Sequence, residues 1–414
     1  MRARGAGVLR AVGTAALAVA VLGGAAACGA VPVAPNAPGR SASPALAGPV
    51  AAADNQLGFG LLQQLTAGGR TGNVFISPPS LAIDLSMLYN GARGDTAAQM
   101  AHVLHVQGLG MAAVNGGNAA LLAALTAPGG GVTLDIANSL WANAGVALLP
   151  AFLQTNALYY NAKLATVDFR NPGTAGEING WVDQHTAGKI PTLVGQLPAN
   201  GVLMLLNAVY FQGKWQTAFT AADTRPGTFT DRGGRAESLP MMSRTGPIAY
   251  AQVPAGQLAS LPYAGGRFSM EILLPGPGGG LPTDIATAWA GWQAQLQPHQ
   301  VALTLPRFTI RDTDQLAAPL GALGMADAFT AQADFSGLCP AGCDVSSVVQ
   351  KTFLQVDETG TTAAAATSIG ITATAVALPP QAIPMDVDRP FFCAIVDHQT
   401  GAVLFLGDIQ ALNA

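Results

Sequence analysis

The chain has 414 residues, half of them hydrophobic and a tenth charged, with a net charge of -4. That apolar mass is ample for a large core and excludes a disordered protein. The sparse, slightly acidic charge excludes recognition of nucleic acid or a heparin-type polyanion through a broad basic surface.

The chain opens with targeting signals. Arg2, Arg4 and Arg10 precede an apolar run from Ala11 to Leu22 and the small residues Ala25, Ala26 and Ala27, the layout of a secretory signal peptide. The run is too short for a transmembrane helix. Cys28 follows as at a bacterial lipoprotein cleavage site, although Ala25 stands where Leu is commoner; lipidation of Cys28 is favoured over plain cleavage after a small residue. From Cys28 to Ala52 the chain is mostly Pro, Ala, Gly and Ser, which predicts an unpacked tether. The expected organisation is a signal peptide over 1–27, a tether over 28–52 and one domain over 53–414. The product is expected at the outer face of a bacterial cytoplasmic membrane or, without lipid, as a secreted protein.

Within the domain, Leu57, Leu61 and Leu65 give Gln56 to Leu65 the apolar stripe of a first helix. A second begins after Ser77-Pro78-Pro79-Ser80, where Pro and Ser suit a helix start, and runs over Leu81 to Asn90. Ile178, Trp181 and Val182 mark a third over Ile178 to Ala187. Strands are predicted over Val132 to Ile136, Val202 to Phe211, Phe268 to Leu274, Val301 to Ile310, Val348 to Val356, Phe391 to Val396 and Val403 to Gly407. Helices and strands do not alternate regularly, so the fold class is α+β.

Cys339 and Cys343 flank Pro340-Ala341-Gly342, a turn able to bring their sulfurs together in an oxidising compartment. Cys393 sits among apolar residues and reads as a small buried hydrophobe. The five histidines are scattered, and His102 and His105, three apart where a helix is one option, have no carboxylate or cysteine beside them and read as helix-surface residues. No nucleophile elbow, zinc-protease motif, phosphate loop or dinucleotide fingerprint is present. The chain is therefore expected not to be an enzyme and to need no cofactor and no metal.

The most informative segment follows the strand ending at Val356. No charged residue lies between Glu358 and Asp386. As a strand it would carry Thr361, Ala363, Ala365 and Thr367 on one face and Thr362, Ala364, Ala366 and Ser368 on the other, small enough to enter a sheet. Composition alone fits an Ala/Thr-rich surface linker equally well.

From Asn73 onward the chain resembles the serpins, the serine-protease-inhibitor family. The blocks that carry the resemblance include Asn73 to Ser80, Asn90 to Thr96, Ile178 to Val182, Leu206 to Trp215, Met241-Met242, Leu305 to Phe308, Ala333 to Gly337, the Glu358 to Ala366 hinge, Asp388 to Phe392 and Leu404 to Gly407. Their joint order is specific where each alone is weak. The resemblance implies a fold of three β-sheets and about nine helices, with a reactive loop that a protease cleaves and that then inserts as a new central strand. About 15 inserted residues at ~0.5–1.5 kcal/mol per backbone pairing rival the whole stability of an ordinary domain. They also carry the acyl-linked protease ~50 Å.

It further implies a hinge of Glu358, Gly360, Thr361, Thr362, Ala363, Ala364, Ala365 and Ala366. A polar shutter under the opening point matches Ser77, Ser80 and Asn207, with Gln350 where histidine is usual. The breach at the top of the sheet matches Trp215, and Arg307 with Glu358 matches an anchoring pair at the base of the loop. Without the family, Ser77 and Ser80 read as helix caps, Trp215 as a core aromatic, and Arg307–Glu358 as a surface pair of little worth. Counts from the two ends of the loop disagree on the scissile bond, and the loop is about five residues longer than usual. The window Ala373, Thr374, Ala375, Val376, Ala377 and Leu378 offers no Lys or Arg and favours elastase-, subtilisin- or chymotrypsin-like targets over trypsin-like ones.

Ala382 to Met385 reads as a strand beyond the loop. Gln99 to Asp135 contains no Lys or Arg, so a heparin site is not expected. The expected partner is a serine protease in a covalent acyl complex, and the uncharged loop gives the monomer a tendency to polymerise. Two alternatives remain: a non-inhibitory member acting as a surface binding protein, and an extracytoplasmic ligand-binding lipoprotein.

Overall fold

The computed structural model describes residues 44–67, 72–160, 162–280, 282–361 and 381–412. The first half contains α1 (Pro44–Thr66), β1 (Val74–Ile76), α2 (Pro78–Tyr89), α3 (Gly94–Val103), α4 (Met111–Thr126), β2 (Val132–Asn143), α5 (Pro150–Tyr159), β3 (Lys163–Val167), α6 (Thr174–His185) and β4 (Leu203–Lys214). Then come β5 (Arg225–Thr230), β6 (Ala236–Val253), β7 (Gly256–Pro262), β8 (Phe268–Pro275), α7 (Ile285–Gln293), β9 (Gln297–Pro306), β10 (Phe308–Gln315) and α8 (Ala317–Leu320). The chain closes with β11 (Val345–Asp357), β12 (Gly360–Thr361), β13 (Ile383–Asp386), β14 (Phe391–Asp397) and β15 (Val403–Ile409).

Two hydrogen-bonded ladders result. The larger runs β1-β15-β14-β8-β7-β6-β9-β13 with β5 added on β6, and the smaller runs β10-β11-β12-β4-β2-β3. The larger changes partners along β6, which pairs with β5 over its first residues, with β9 over Met241 to Tyr250 and with β7 from Ala249 onward. Among the described residues there are eight α-helices, and the larger ladder divides at β6 into two parts that share this strand.

The smaller sheet is covered on both faces, which explains its nearly continuous apolar runs. Leu203 and Leu205 of β4 face a core shared with α1 and α2, while Met204, Leu206 and Ala208 face Ile178 and Val182 of α6. The α6 helix thus lies over the outer face of β2, β4 and β11.

Three expectations need correction. The tether predicted over 28–52 ends earlier, because α1 begins at Pro44 and buries Ala47, Val50 and Ala51 in the core that holds Leu121 and Leu125 of α4. A Cβ on Gly117 would lie 2.4 Å from the Val50 side chain, so the close approach of α1 and α4 requires glycine there. The single strand predicted over Val301 to Ile310 is two, interrupted at Arg307: β9 belongs to the larger ladder and β10 to the smaller. The helix predicted over Ile178 to Ala187 starts earlier and ends at His185, and Ala187 has a left-handed φ of 49°. Ile383 to Asp386 do form a strand beyond the loop, and Cys339 and Cys343 form a disulfide with Cα atoms 6.3 Å apart. Cys393 is a free, buried thiol whose titration burial pushes up.

Candidate functional site: the seam between two central strands

The site lies along the seam between β4 and β11. Over eight registers, from Val345 opposite Leu203 to Phe353 opposite Tyr210, the two strands pair directly and in parallel. Higher up they part. Gly360 and Thr361 stand between them, antiparallel to both, with Thr361 opposite Val356 on one side and Gly213 on the other.

The paired stretch carries a row of polar residues at one level. Asp314, Gln350, Asn207 and Asn138 occupy facing positions on β10, β11, β4 and β2. Gln350 Nε2 donates to Asn207 Oδ1 (2.8 Å) and to the Ser77 carbonyl (3.0 Å), while its Oε1 accepts from the Ser77 amide (2.8 Å). Asn207 Nδ2 donates to Asn138 Oδ1 (2.5 Å) and to Ser80 Oγ, and Ser80 Oγ donates to Asn138 Oδ1 (3.1 Å). Both N–H groups of each central amide are used, as burial demands. The row thus ties three strands to the start of α2, and each bond contributes ~1 kcal/mol net.

The predicted quartet Ser77, Ser80, Asn207 and Gln350 therefore meets in space. Ser77 stands at the N-cap of α2, but its hydroxyl makes no capping bond; its backbone serves the seam. Asn138 and Asp84 escaped the sequence reading. Asn138 had a visible signal, a polar residue interrupting the apolar face Leu134, Ile136, Leu140 of β2. Asp84, one turn after Ser80, is fully buried beside Asn207, and burial holds its carboxyl well above the usual carboxylate range.

The upper part is aromatic. Trp215 is 5 % exposed and stacks on Tyr263 at 4.7 Å with 11° between the rings. Its Nε1 donates to the Asp357 carbonyl and its backbone amide to the Thr359 carbonyl (both 2.9 Å), while the Phe219 amide donates to the Glu358 carbonyl (2.8 Å). Asp357 Oδ1 accepts from the amides of Thr359 (2.9 Å) and Gly360 (3.2 Å), closing an Asx-type turn. The backbone of 357–360 is thus held before the chain enters the seam. Gly360 has φ +155°, and a Cβ there would stand 2.1 Å from the Gly213 carbonyl oxygen, so only glycine fits.

Arg307 and Glu358 approach to 3.7 Å with the Arg307 side chain 51 % exposed, a loose pair. The closer partner of Glu358 is Thr224, whose hydroxyl donates at 2.8 Å. Of the predicted hinge, Glu358, Gly360 and Thr361 are placed as described. Thr362 to Ala366, the scissile window Ala373 to Leu378 and Cys28 lie outside the described residues. Among the described residues no cluster of three metal-ligating side chains occurs.

A family model described as serpin (serine protease inhibitor) matches residues 52–411. The leukocyte elastase inhibitor of Bos taurus is 35 % identical over 383 residues, covering 87 % of this chain and 99 % of that protein. A serpin-like protein of Thermococcus kodakarensis is also 35 % identical over 368 residues, covering 87 % of this chain and 85 % of its own. Among solved structures, the thermophilic serpin tengpin in its native state superposes with a TM-score of 0.80 at 29 % identity over 87 % of this chain and 94 % of its own. Human thyroxine-binding globulin complexed with its hormone gives 0.80 at 25 % identity over 89 % of this chain and all of its own. The chain belongs to the serpin family.

Proposed function

We propose that this chain is a suicide-substrate inhibitor of serine proteases that traps the acyl-enzyme by drawing its cleaved loop into the seam between β4 and β11. The observation that carries this reading is the wedge: Gly360 and Thr361 already pair antiparallel with both strands. Each further residue seated would exchange one parallel pairing for two antiparallel ones, which are slightly the stronger kind.

In the reaction, the protease serine oxygen attacks the scissile carbonyl, the peptide nitrogen leaves with a proton as a new amino terminus, and the loop stays ester-linked to the protease. Insertion then competes with water for that ester. The small, uncharged residues from Thr361 onward suit passage between strands, and the window Ala373 to Leu378 suits a protease with an apolar primary pocket. The leader and Cys28 support export with a lipid anchor, which the mass of the mature N-terminus tests.

The deciding experiment incubates the domain with elastase-, subtilisin-, chymotrypsin- and trypsin-like proteases and analyses the products on denaturing gels and by intact mass. A denaturant-resistant complex together with a released C-terminal peptide is expected with one of the first three. Cleavage without complex across all four would overturn the reading. Thr361→Arg, which places a charge at a fully buried position of the seam, is expected to leave cleavage intact and abolish the complex.

A further inference from the structure

The wedge has a partner that belongs to neither predicted cluster. Tyr263 follows β7, and its hydroxyl lies 2.7 Å from Thr361 Oγ1, with both residues fully buried. The ring is fixed from two sides, stacked on Trp215 and edge-on to Phe211 at 5.0 Å. Its backbone forms a β-bridge with Trp215. The route to Thr361 passes Gly213, where a Cβ would stand 2.8 Å from the Tyr263 ring. Gly213 is also the register partner of Thr361, so one missing side chain admits both the hinge and the phenol that meets it.

We infer that Tyr263 is a positioning residue for the loop: its hydroxyl seats Thr361 in the seam before cleavage and fixes the register in which insertion begins. This rests on the inhibitory reading above. Two buried hydroxyls each need a partner, and here each serves the other. Withdrawing the hinge would strand the phenol among Trp215, Phe211 and Gly213. Register matters because alternation puts Thr361, Ala363 and Ala365 on one face, and a slip of one residue would exchange the faces along the whole inserted strand. A seated first residue removes that search from the interval in which water attacks the ester.

The test is Tyr263→Phe, which keeps the stack and removes only the hydroxyl. With a protease that the wild type traps, the ratio of cleaved to trapped inhibitor is expected to rise roughly fivefold, the factor carried by one ordinary hydrogen bond. The rate of loop cleavage should stay within about twofold, since the scissile bond is remote in sequence. Thr361→Val should raise the same ratio in the wild type and add little in the Tyr263→Phe background, the non-additivity expected of a contacting pair. An unchanged ratio in Tyr263→Phe overturns the proposal.

Seating has a second readout that does not depend on trapping, namely amide exchange of a peptide spanning 357–361 in the uncleaved protein. It should speed up roughly fivefold in Tyr263→Phe while peptides from α1 and β14 are unchanged. Equal exchange in that peptide also overturns the proposal. If the wild type traps no protease at all, the inhibitory reading fails on its own account, and amide exchange still decides whether Tyr263 seats the hinge.

Discussion

The middle and the top of the seam use the same two strands in opposite ways. From Val345 and Leu203 to Phe353 and Tyr210, β4 and β11 are joined directly and their inner faces are cross-linked by the row of Gln350, Asn207 and Asn138. Above that they are held apart by Gly360 and Thr361, and the contacts are ring faces and hinge backbone. Both levels carry directional bonds: at the centre they join side chains across the strands, and at the top they run chiefly to the hinge backbone and to the Thr361 hydroxyl beside stacked rings.

That contrast is broken or sharpened by substitutions on either side of it. The largest effect is expected from Asn207→Ala, which removes three buried hydrogen bonds at once and leaves one N–H of the Gln350 amide without an acceptor, while Gln350 keeps its bonds to Ser77 and Ser80 keeps its bond to Asn138. At ~1 kcal/mol for each lost bond, with the unsatisfied N–H added, the loss is on the order of 4 kcal/mol in denaturant unfolding of the uncleaved protein. A loss below about 1 kcal/mol would show that the row does not hold the centre.

A buried acid on another sheet calibrates the comparison. Glu271 on β8 is 1 % exposed, its Oε2 accepts from Gln293 Nε2 at 2.8 Å, and burial raises its carboxyl to about 7. Because the unfolded chain releases this proton at an ordinary carboxylate pH, the stability that Glu271 contributes is fully present in acid. It is lost as pH rises from roughly 4.5 to the folded value, at most ~3 kcal/mol in all. Glu271→Gln should flatten that slope in unfolding experiments across the window, and a persisting slope would assign it to other groups. The smallest effect belongs to the base of the loop: Arg307→Ala should cost under ~1 kcal/mol, because the pair is long and the guanidinium half exposed. A larger loss would mean that the top is pinned by charge and not by rings.

Much of this seam was legible in the residues. The Pro-Pro start of α2 and the strands β4 and β11 are readable from the residues themselves, whereas the grouping of Ser77, Ser80, Asn207 and Gln350 is what the serpin resemblance implies. What escaped is what sequence separation hides. Tyr263 is nearly a hundred residues from Thr361, and nothing local marks a tyrosine as the partner of a distant threonine. Asn138 was visible as an interruption in an alternating strand but had no motif to draw attention to it. The early start of α1 was masked by the same Ala, Gly and Pro content that suggested a tether, since burial against α4 depends on a glycine elsewhere. The division of β9 from β10 at Arg307 was hidden because both halves read as strand, and only their membership of different sheets separates them.

The orientation of the wedge also has a kinetic meaning. Because β12 runs against two strands that run together, it cannot be seated while the β4 and β11 amides at that level still pair with each other. On the inhibitory reading proposed above, each residue added would occupy the place in which the old pairing could re-form. Growth from this end would then work as a ratchet whose teeth are backbone amides: a forward step would need one register to open, and a backward step would require the bonds of two interfaces to break at once.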